Sequence, residues 1–315
     1  MHTIVITGAT GFIGEHLVDF LASRENIQIR VLVHRNRNNK ILNRNSIIMV
    51  DGDLMKPETL HRFVTPGCTV VNLVYLSGRS KEENLKAMDN LAKACAKAKI
   101  KRFVHCSTVA VTGRVPNKII GENTTCNPIN EYEITKLAVE KIFLEKYSGL
   151  FEVVILRPTA VFGPGGKNLL KLANDLRQGN RVINYLKSCL FYYRRMNLVY
   201  IDNVVSAIAF LIDTDKNIAR EIFVVSDDEC SSNNYRDVEQ YLMRNFGHKD
   251  YLLPRVPLPF FVLIFLLNLM GKSNLNPNCV YNCQKLLKAD FEKPVSFEEG
   301  LANFAKWYKG KFYPH

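Results

Sequence analysis

Thr3-Ile4-Val5-Ile6-Thr7 followed by Gly8-Ala9-Thr10-Gly11-Phe12-Ile13-Gly14 reads as a buried strand, a glycine-rich turn and the entry to a helix predicted over Glu15 to Ser23. Glycine keeps such a turn tight and lets the backbone approach a pyrophosphate. The helix N-terminus adds free N–H groups and the positive end of its dipole. It is the position between a strand and a helix that separates a phosphate cradle from a bare turn. Gly8, Thr10, Gly11, Phe12, Ile13 and Gly14 are therefore candidate dinucleotide-binding residues.

Outward from this unit, short runs rich in Val and Ile recur at Gln28 to Val33, Ile47 to Val50, Thr69 to Leu73, Arg102 to Ser107 and Glu152 to Leu156. Helical spacing lies between them, as over Glu83 to Lys99. That is the βαβ rhythm of a parallel sheet buried on both faces. After Arg157-Pro158 the character changes. Gly163-Pro164-Gly165-Gly166 breaks the chain, and a helix is predicted over Asn168 to Gln178. Two further strand-like runs, Asn197 to Tyr200 and Glu221 to Val225, predict a return to the first sheet around 197–227. The expected fold is α/β: a Rossmann-type doubly wound parallel sheet over 1–165, with a smaller, mostly helical C-terminal substrate lobe over 166–315.

Composition narrows the class. Of 315 residues, 47% are hydrophobic and 23% charged, which excludes disordered and fibrous chains. The eight cysteines show none of the two-residue gaps of zinc or redox pairs, so they read as reduced, mostly buried thiols and no metal is expected. Met1-His2 runs straight into the first strand without a leader, so a cytoplasmic location is expected. A net charge of +12 suits nucleic acid, an anionic membrane surface or phosphorylated ligands. No basic helix interleaved with aromatics is present, which argues against nucleic acid. The most hydrophobic stretch, Val256 to Met270, is shorter than the roughly 20 residues of a spanning helix and opens with two prolines. It reads as a helix buried in the smaller lobe or at an interface, with peripheral membrane contact through 256–270 as the alternative.

The end of the second strand bears on the cofactor. An acidic residue there holds the ribose hydroxyls of NAD, but this chain reads Val33-His34-Arg35-Asn36-Arg37. A guanidinium at Arg35 can stack on adenine and pair with a 2′-phosphate, which favours NADP over NAD. Farther on, Tyr132-Glu133-Ile134-Thr135-Lys136 puts a phenol and an ammonium four residues apart, on one helix face. A cation there is expected to lower the phenol pKa and make Tyr132 a general acid/base for hydride chemistry at an alcohol.

The glycine motif, Asp51-Gly52-Asp53-Leu54, Cys106-Ser107-Thr108, Tyr132 with Lys136, and Arg157-Pro158-Thr159-Ala160-Val161-Phe162-Gly163-Pro164-Gly165 follow one another in one order. Together with Val199 to Val204 and Pro294 to Leu301, this set resembles the extended short-chain dehydrogenase/reductase family, of the NAD-dependent, sugar-modifying epimerase/dehydratase type. The resemblance spans nearly the whole chain. It implies that Asp53 meets the adenine, that Leu54 packs on its ring, and that Pro158, Tyr132 and Lys136 also touch the cofactor. It aligns Thr108 with the catalytic hydroxyl that bonds the substrate oxygen, with Ser107 beside it. Thr112 stands where the family usually has a tyrosine.

Dehydratases and decarboxylases of the family carry acidic residues directly after this hydroxyl, where Val109 and Ala110 stand here. The resemblance thus leaves oxidoreduction at one carbinol carbon, C4, of a diphosphate-activated sugar, by a nucleotide-sugar 4-epimerase or 4-ketoreductase. It also implies a phosphate-holding role for Arg195, beside Arg194, and a homodimer through the stretches Glu83 to Lys99 and Tyr132 to Lys146. Two alternatives are an enzyme acting on a lipid-linked sugar or other apolar alcohol at the membrane surface, and a non-catalytic NAD(P) sensor.

Overall fold

The computed structural model of the chain describes residues 2–34, 46–269, 271 and 275–313. Arg35 and Arg37, on which the preference for NADP rests, lie outside the described residues. In chain order the elements are β1 (His2–Thr7), α1 (Phe12–Ala22), β2 (Ile27–Val33), β3 (Ile47–Asp51), β4 (Thr69–Asn72), α2 (Lys81–Ala98), β5 (Arg102–Cys106), β6 (Ile119–Ile120), α3 (Glu131–Lys141), β7 (Glu152–Pro158) and β8 (Ala160–Phe162). They continue with α4 (Leu170–Gln178), α5 (Arg181–Phe191), β9 (Leu198–Tyr200), α6 (Ile201–Asp213), β10 (Ile222–Val225), α7 (Tyr235–Asn245), α8 (Phe260–Leu269), β11 (Val280–Tyr281), α9 (Gln284–Lys288) and α10 (Phe297–Phe312). The chain divides into two compact units. The first comprises Met1–Val111, Pro128–Arg157 and Val205–Phe223; the second comprises Thr112–Asn127, Pro158–Val204 and Val224–His315.

The fold is a doubly wound α/β sheet of Rossmann type. Its seven strands run in the order β10-β7-β5-β4-β1-β2-β3, and the paired strands from β7 through β3 are parallel. Strand order reverses beside β1: the chain winds to β2 and β3 on one side, then starts again on the other with β4, β5 and β7. Ligands of open parallel sheets bind at such a reversal, outside the carboxyl ends of the strands. Thr7 and Asn72, the last residues of β1 and β4, are partners in register there.

The expected strands form, but one joins a different sheet. Instead of returning to the main sheet, β9 pairs in parallel with β8, Ala160 against Leu198 and Phe162 against Tyr200. Side chains take up backbone groups that another strand would otherwise pair. Asn233 bonds both the N–H and the carbonyl of Leu198 at 3.2 and 3.0 Å, and Asp227 accepts the Tyr200 N–H at 2.9 Å. Only β10 rejoins the main sheet.

Helix α1 begins at Phe12, three residues before its expected start, so Gly14 lies in its first turn. A Cβ at Gly14 would sit 2.1 Å from the Gly8 carbonyl oxygen, so only glycine lets the helix rest on the turn. Helix α2 has a capping box in which the Ser80 hydroxyl accepts the Glu83 N–H and the Glu83 carboxylate accepts the Ser80 N–H. Helix α3 ends at Lys141 and passes into a wider π turn over Ile142–Tyr147. Phe143 of that turn packs on Phe103 of β5 with ring centroids 4.6 Å apart. Phe103, Phe143, Leu91 and Ala92 are fully buried in the core of the first unit. In the second unit α10 buries Phe304 and Tyr308, whose hydroxyl donates to the Asn174 side chain at 2.7 Å.

Candidate active site

In the first unit the strand ends and the glycine turn enclose a cavity of 280 Å³, lined by residues that include Gly8, Thr10, His34, Asp53, Leu54 and Leu76. The turn is shaped for close approach. Gly8 has φ +77°, a conformation that disfavours any side chain, and a Cβ there would lie 3.2 Å from the Leu73 backbone. Gly11 caps α1 without a side-chain acceptor, so the first-turn N–H groups meet no competing side-chain oxygen from the cap. Thr10 and Gly11 are exposed, Phe12 and Ile13 half-buried and Gly14 buried.

These features fit a dinucleotide. The Gly8–Gly14 turn would hold its pyrophosphate, and Asp53 and Leu54 would border its adenine end. The Asp53 carboxylate accepts the Met55 N–H at 2.9 Å, and its other oxygen lies 3.4 Å from His34 Nε2. Among the described residues, the end of β2 carries no acid to grip a ribose. When bound, such a cofactor accepts a hydride from a carbinol carbon and can return it.

A second cluster surrounds the end of β5. Helix α3 presents Tyr132 and Lys136 one turn apart, with Asn130 capping it by accepting the Glu133 N–H at 3.0 Å. Lys136 is buried, and its ammonium donates to the Cys106 carbonyl at 2.9 Å. Burial pulls its pKa below the ordinary lysine value, opposed by Cys106 and by the Glu140 carboxylate. Glu140 is itself held by Arg157 in a buried pair at 3.0 Å. The Cys106 thiol is pushed up to about 11 by burial and stays protonated at neutral pH.

Tyr132 departs from expectation in one respect. Its phenol stands above the ordinary tyrosine value, chiefly through burial and then through Cys106 and Tyr75, whereas a hydrogen bond with the Thr108 side chain pulls it down. The chain by itself therefore keeps Tyr132 as a neutral phenol on Thr108, poised to donate a proton. Ser107, beside them, is buried with its hydroxyl unpaired.

Val74, Tyr75 and Leu76, which continue β4, connect the two clusters. Val74 and Leu76 line the cavity, while the ring of Tyr75 meets that of Tyr132 edge-on at 4.9 Å. Neither Tyr75 nor the cavity side of Val74 and Leu76 was singled out from the sequence. The available signal was their place at the end of a strand beside the order reversal. Deeper in the sheet, the Thr7 hydroxyl donates to the Asn72 side-chain oxygen at 2.6 Å, and the Asn72 side-chain amide donates to His105 Nδ1 at 3.0 Å. Burial, reinforced by Lys136, drives the His105 pKa well below the usual imidazole value, so the ring is neutral.

The remaining candidates belong to the second unit. Pro158 ends β7. Arg195 donates through Nη1 to the Cys230 carbonyl at 2.7 Å, so part of its guanidinium braces the loop before α7. Burial lowers the Arg194 pKa, and its guanidinium lies 5.6 Å from the Phe191 ring centroid.

The model of the NAD dependent epimerase/dehydratase family matches residues 4–226. A UDP-glucose 4-epimerase of Vibrio cholerae is 28% identical over 295 residues, covering 87% of this chain and 84% of that protein. Among solved structures, the NAD complex of dTDP-glucose 4,6-dehydratase from Bacillus anthracis superposes with a TM-score of 0.76 at 19% identity, covering 98% of this chain and 97% of that one. WbmG of Bordetella bronchiseptica, solved with NAD and UDP, gives 0.76 at 20% identity, covering 99% and 96%. At these identities the structural likeness establishes the fold, while the family match reaches from β1 to just past β10. The chain therefore belongs to the NAD-dependent epimerase/dehydratase family, enzymes of the extended short-chain dehydrogenase type.

Proposed function

We propose that the chain is a nucleotide-sugar 4-epimerase in which Tyr132 moves the proton of the C4 hydroxyl. The observation that carries this reading is Tyr132 one helical turn from the buried Lys136 ammonium, which donates to the Cys106 carbonyl at the end of β5, two residues before Thr108. In the oxidative direction Tyr132, as phenolate, takes the hydroxyl proton while Thr108 holds the same oxygen; on return Tyr132 gives the proton back. A dinucleotide's positive ring beside Lys136 would bring the phenol down from its raised value. Val109 and Ala110 after Thr108 leave no carboxylate to drive dehydration, and the likeness to a UDP-glucose 4-epimerase supports C4. Arg195 retains N–H groups beyond the one on Cys230 for a substrate diphosphate.

A 4-ketoreductase is the second reading, favoured by the absence of an acid at the end of β2 and by Arg35, which suits NADP. For the assembly we retain a homodimer through α2 and the α3 stretch. The deciding experiment follows absorbance near 340 nm with UDP-sugars, then with 4-keto sugars and NADH or NADPH. A sugar isomerised without net change supports the epimerase. Steady consumption of NADPH by a keto sugar moves the assignment to the reductase, and no turnover with any of them defeats both.

A further inference from the structure

Helix α5 is turned inside out. Its polar Asn184 and Ser188 face inward at 6% and 0% exposure, while Val182, Ile183 and Leu186 face outward at 66%, 52% and 58%. The inward side is satisfied: the Asn184 amide donates to the Asp175 carbonyl at 2.6 Å, and the Ser188 hydroxyl donates to Glu239.

A strap of chain over 249–258 runs alongside α5. Arg181 donates to the Lys249 carbonyl at 3.0 Å, the Tyr185 hydroxyl to the Pro254 carbonyl at 2.9 Å, and the Leu258 N–H to the Cys189 carbonyl at 3.2 Å. The strap leaves Leu252 97% exposed, with Leu253 and Val256 also outward. Helix α8 follows, seating Leu263 and Leu267 inward and showing Phe261, Ile264, Phe265 and Leu269 to the outside. The strap lies along α5 and leads directly into α8, and all three segments of this unit present apolar residues that the unit itself does not cover.

The charged residues of these stretches are mostly basic. Between Asp175 and Asp202 the chain carries Arg177, Arg181, Lys187, Arg194 and Arg195 and no acid. From Tyr251 to Ala289 it carries Arg255, Lys272, Lys285 and Lys288 and again no acid. Lys187 pairs with Asp175, and Arg255 pairs with Glu239 and, at 2.8 Å, with Asp250, the one acid of the strap. An exposed apolar face in a predominantly basic surrounding complements an anionic phospholipid surface, where greasy side chains enter the acyl boundary and cations meet the headgroups.

We propose that α5, the strap and α8 form a membrane-docking face that binds anionic bilayers from one side. No helix among the described residues is long and apolar enough to cross a membrane. At ten residues α8 is about 15 Å long, half a hydrocarbon core, so it lies along the interface. This assignment is independent of the sugar chemistry proposed above.

Cosedimentation of the full chain with vesicles of phosphatidylcholine, and of phosphatidylcholine mixed with phosphatidylserine, tests it. Binding to the mixed vesicles, weak on phosphatidylcholine alone and falling with salt, is expected. Leu186→Glu combined with Phe265→Glu should reduce it about tenfold or more, whereas Phe265→Leu should retain it. Should the double variant melt early by circular dichroism, Leu252→Glu, at an almost fully exposed position, carries the test alone. Absence of binding to the mixed vesicles, equal binding to both vesicle types, or undiminished binding by a folded variant overturns the proposal. Wild-type self-association that the same substitutions abolish, without vesicle binding, assigns the face to a second copy of the chain instead.

Discussion

Helices α3 and α5 are each eleven residues long, and each breaks the rule that a surface helix buries its apolar side. Their exceptions run in opposite senses. Helix α3 buries charge: Glu133, Lys136 and Glu140 are all inside, with Lys136 on the Cys106 carbonyl and Glu140 on Arg157. Helix α5 buries neutral amide and hydroxyl groups and leaves Val182, Ile183 and Leu186 in solvent. Burying an ion costs several kcal/mol unless it is paired, which a chain tolerates where chemistry needs the ion. Exposing Val, Ile and Leu costs little within the fold and matters mainly to whatever meets the surface. The first exception points inward to a reaction, the second outward to a neighbour.

The largest effect expected from this contrast is at Tyr132, whose removal should change rate and not stability. Tyr132→Phe should lower kcat about 10²- to 10⁴-fold and leave the melting temperature where it was; comparable turnover in the variant removes the tyrosine from the chemistry. Next comes the charged interior of α3. Glu140→Ala strands Arg157 in the core and should cost about 3–5 kcal/mol in urea denaturation. A loss under 1 kcal/mol would mean that solvent reaches the pair.

Lys136→Met tests the same face through pH. A cation beside the phenol stabilises phenolate, so removing it raises the tyrosine pKa further. Once cofactor is bound, the rise of kcat/KM with pH for the oxidative step should shift upward by about one unit; an unmoved profile makes the lysine structural. On α5, Ser188→Ala should cost about 1 kcal/mol, since a neutral hydroxyl is lost and Glu239 keeps Arg255 and Tyr251. The smallest change belongs to the outer face of α5: Ile183→Gln should stay within about 0.5 kcal/mol of wild type. A loss of 2 kcal/mol or more would show that the chain covers this face itself, and the contrast between the helices would collapse.

What could be read without coordinates follows from how local each signal is. The strand, glycine turn and α1 were legible because the requirements of that turn are met within a dozen consecutive residues. Tyr132 and Lys136 were placed on one face by helical spacing alone. Their surroundings were not: that the lysine would donate its hydrogen bond to the Cys106 carbonyl depends on β5 arriving beside α3. The partner of β9 was misread because three residues such as Leu198-Val199-Tyr200 suit any parallel neighbour. Asn233 and Asp227, which hold its backbone, lie far along the chain. Helix α5 poses a subtler difficulty. Its apolar residues recur with ordinary helical period, and period reveals that a helix has two faces without revealing which is inside.

The hydrogen-bonded series Thr7, Asn72 and His105 works as an index mark for the sheet. It crosses three neighbouring strands at one level, with the Asn72 side chain accepting from β1 and donating to β5. Slipping β4 by one residue would turn Asn72 to the opposite face, leaving a hydroxyl and an imidazole stranded in an apolar interior. Misregistered sheets are thereby penalised at the level that places the ends of β1, β4 and β5, so the strand ends that frame the cavity and carry Cys106 come into alignment together or not at all.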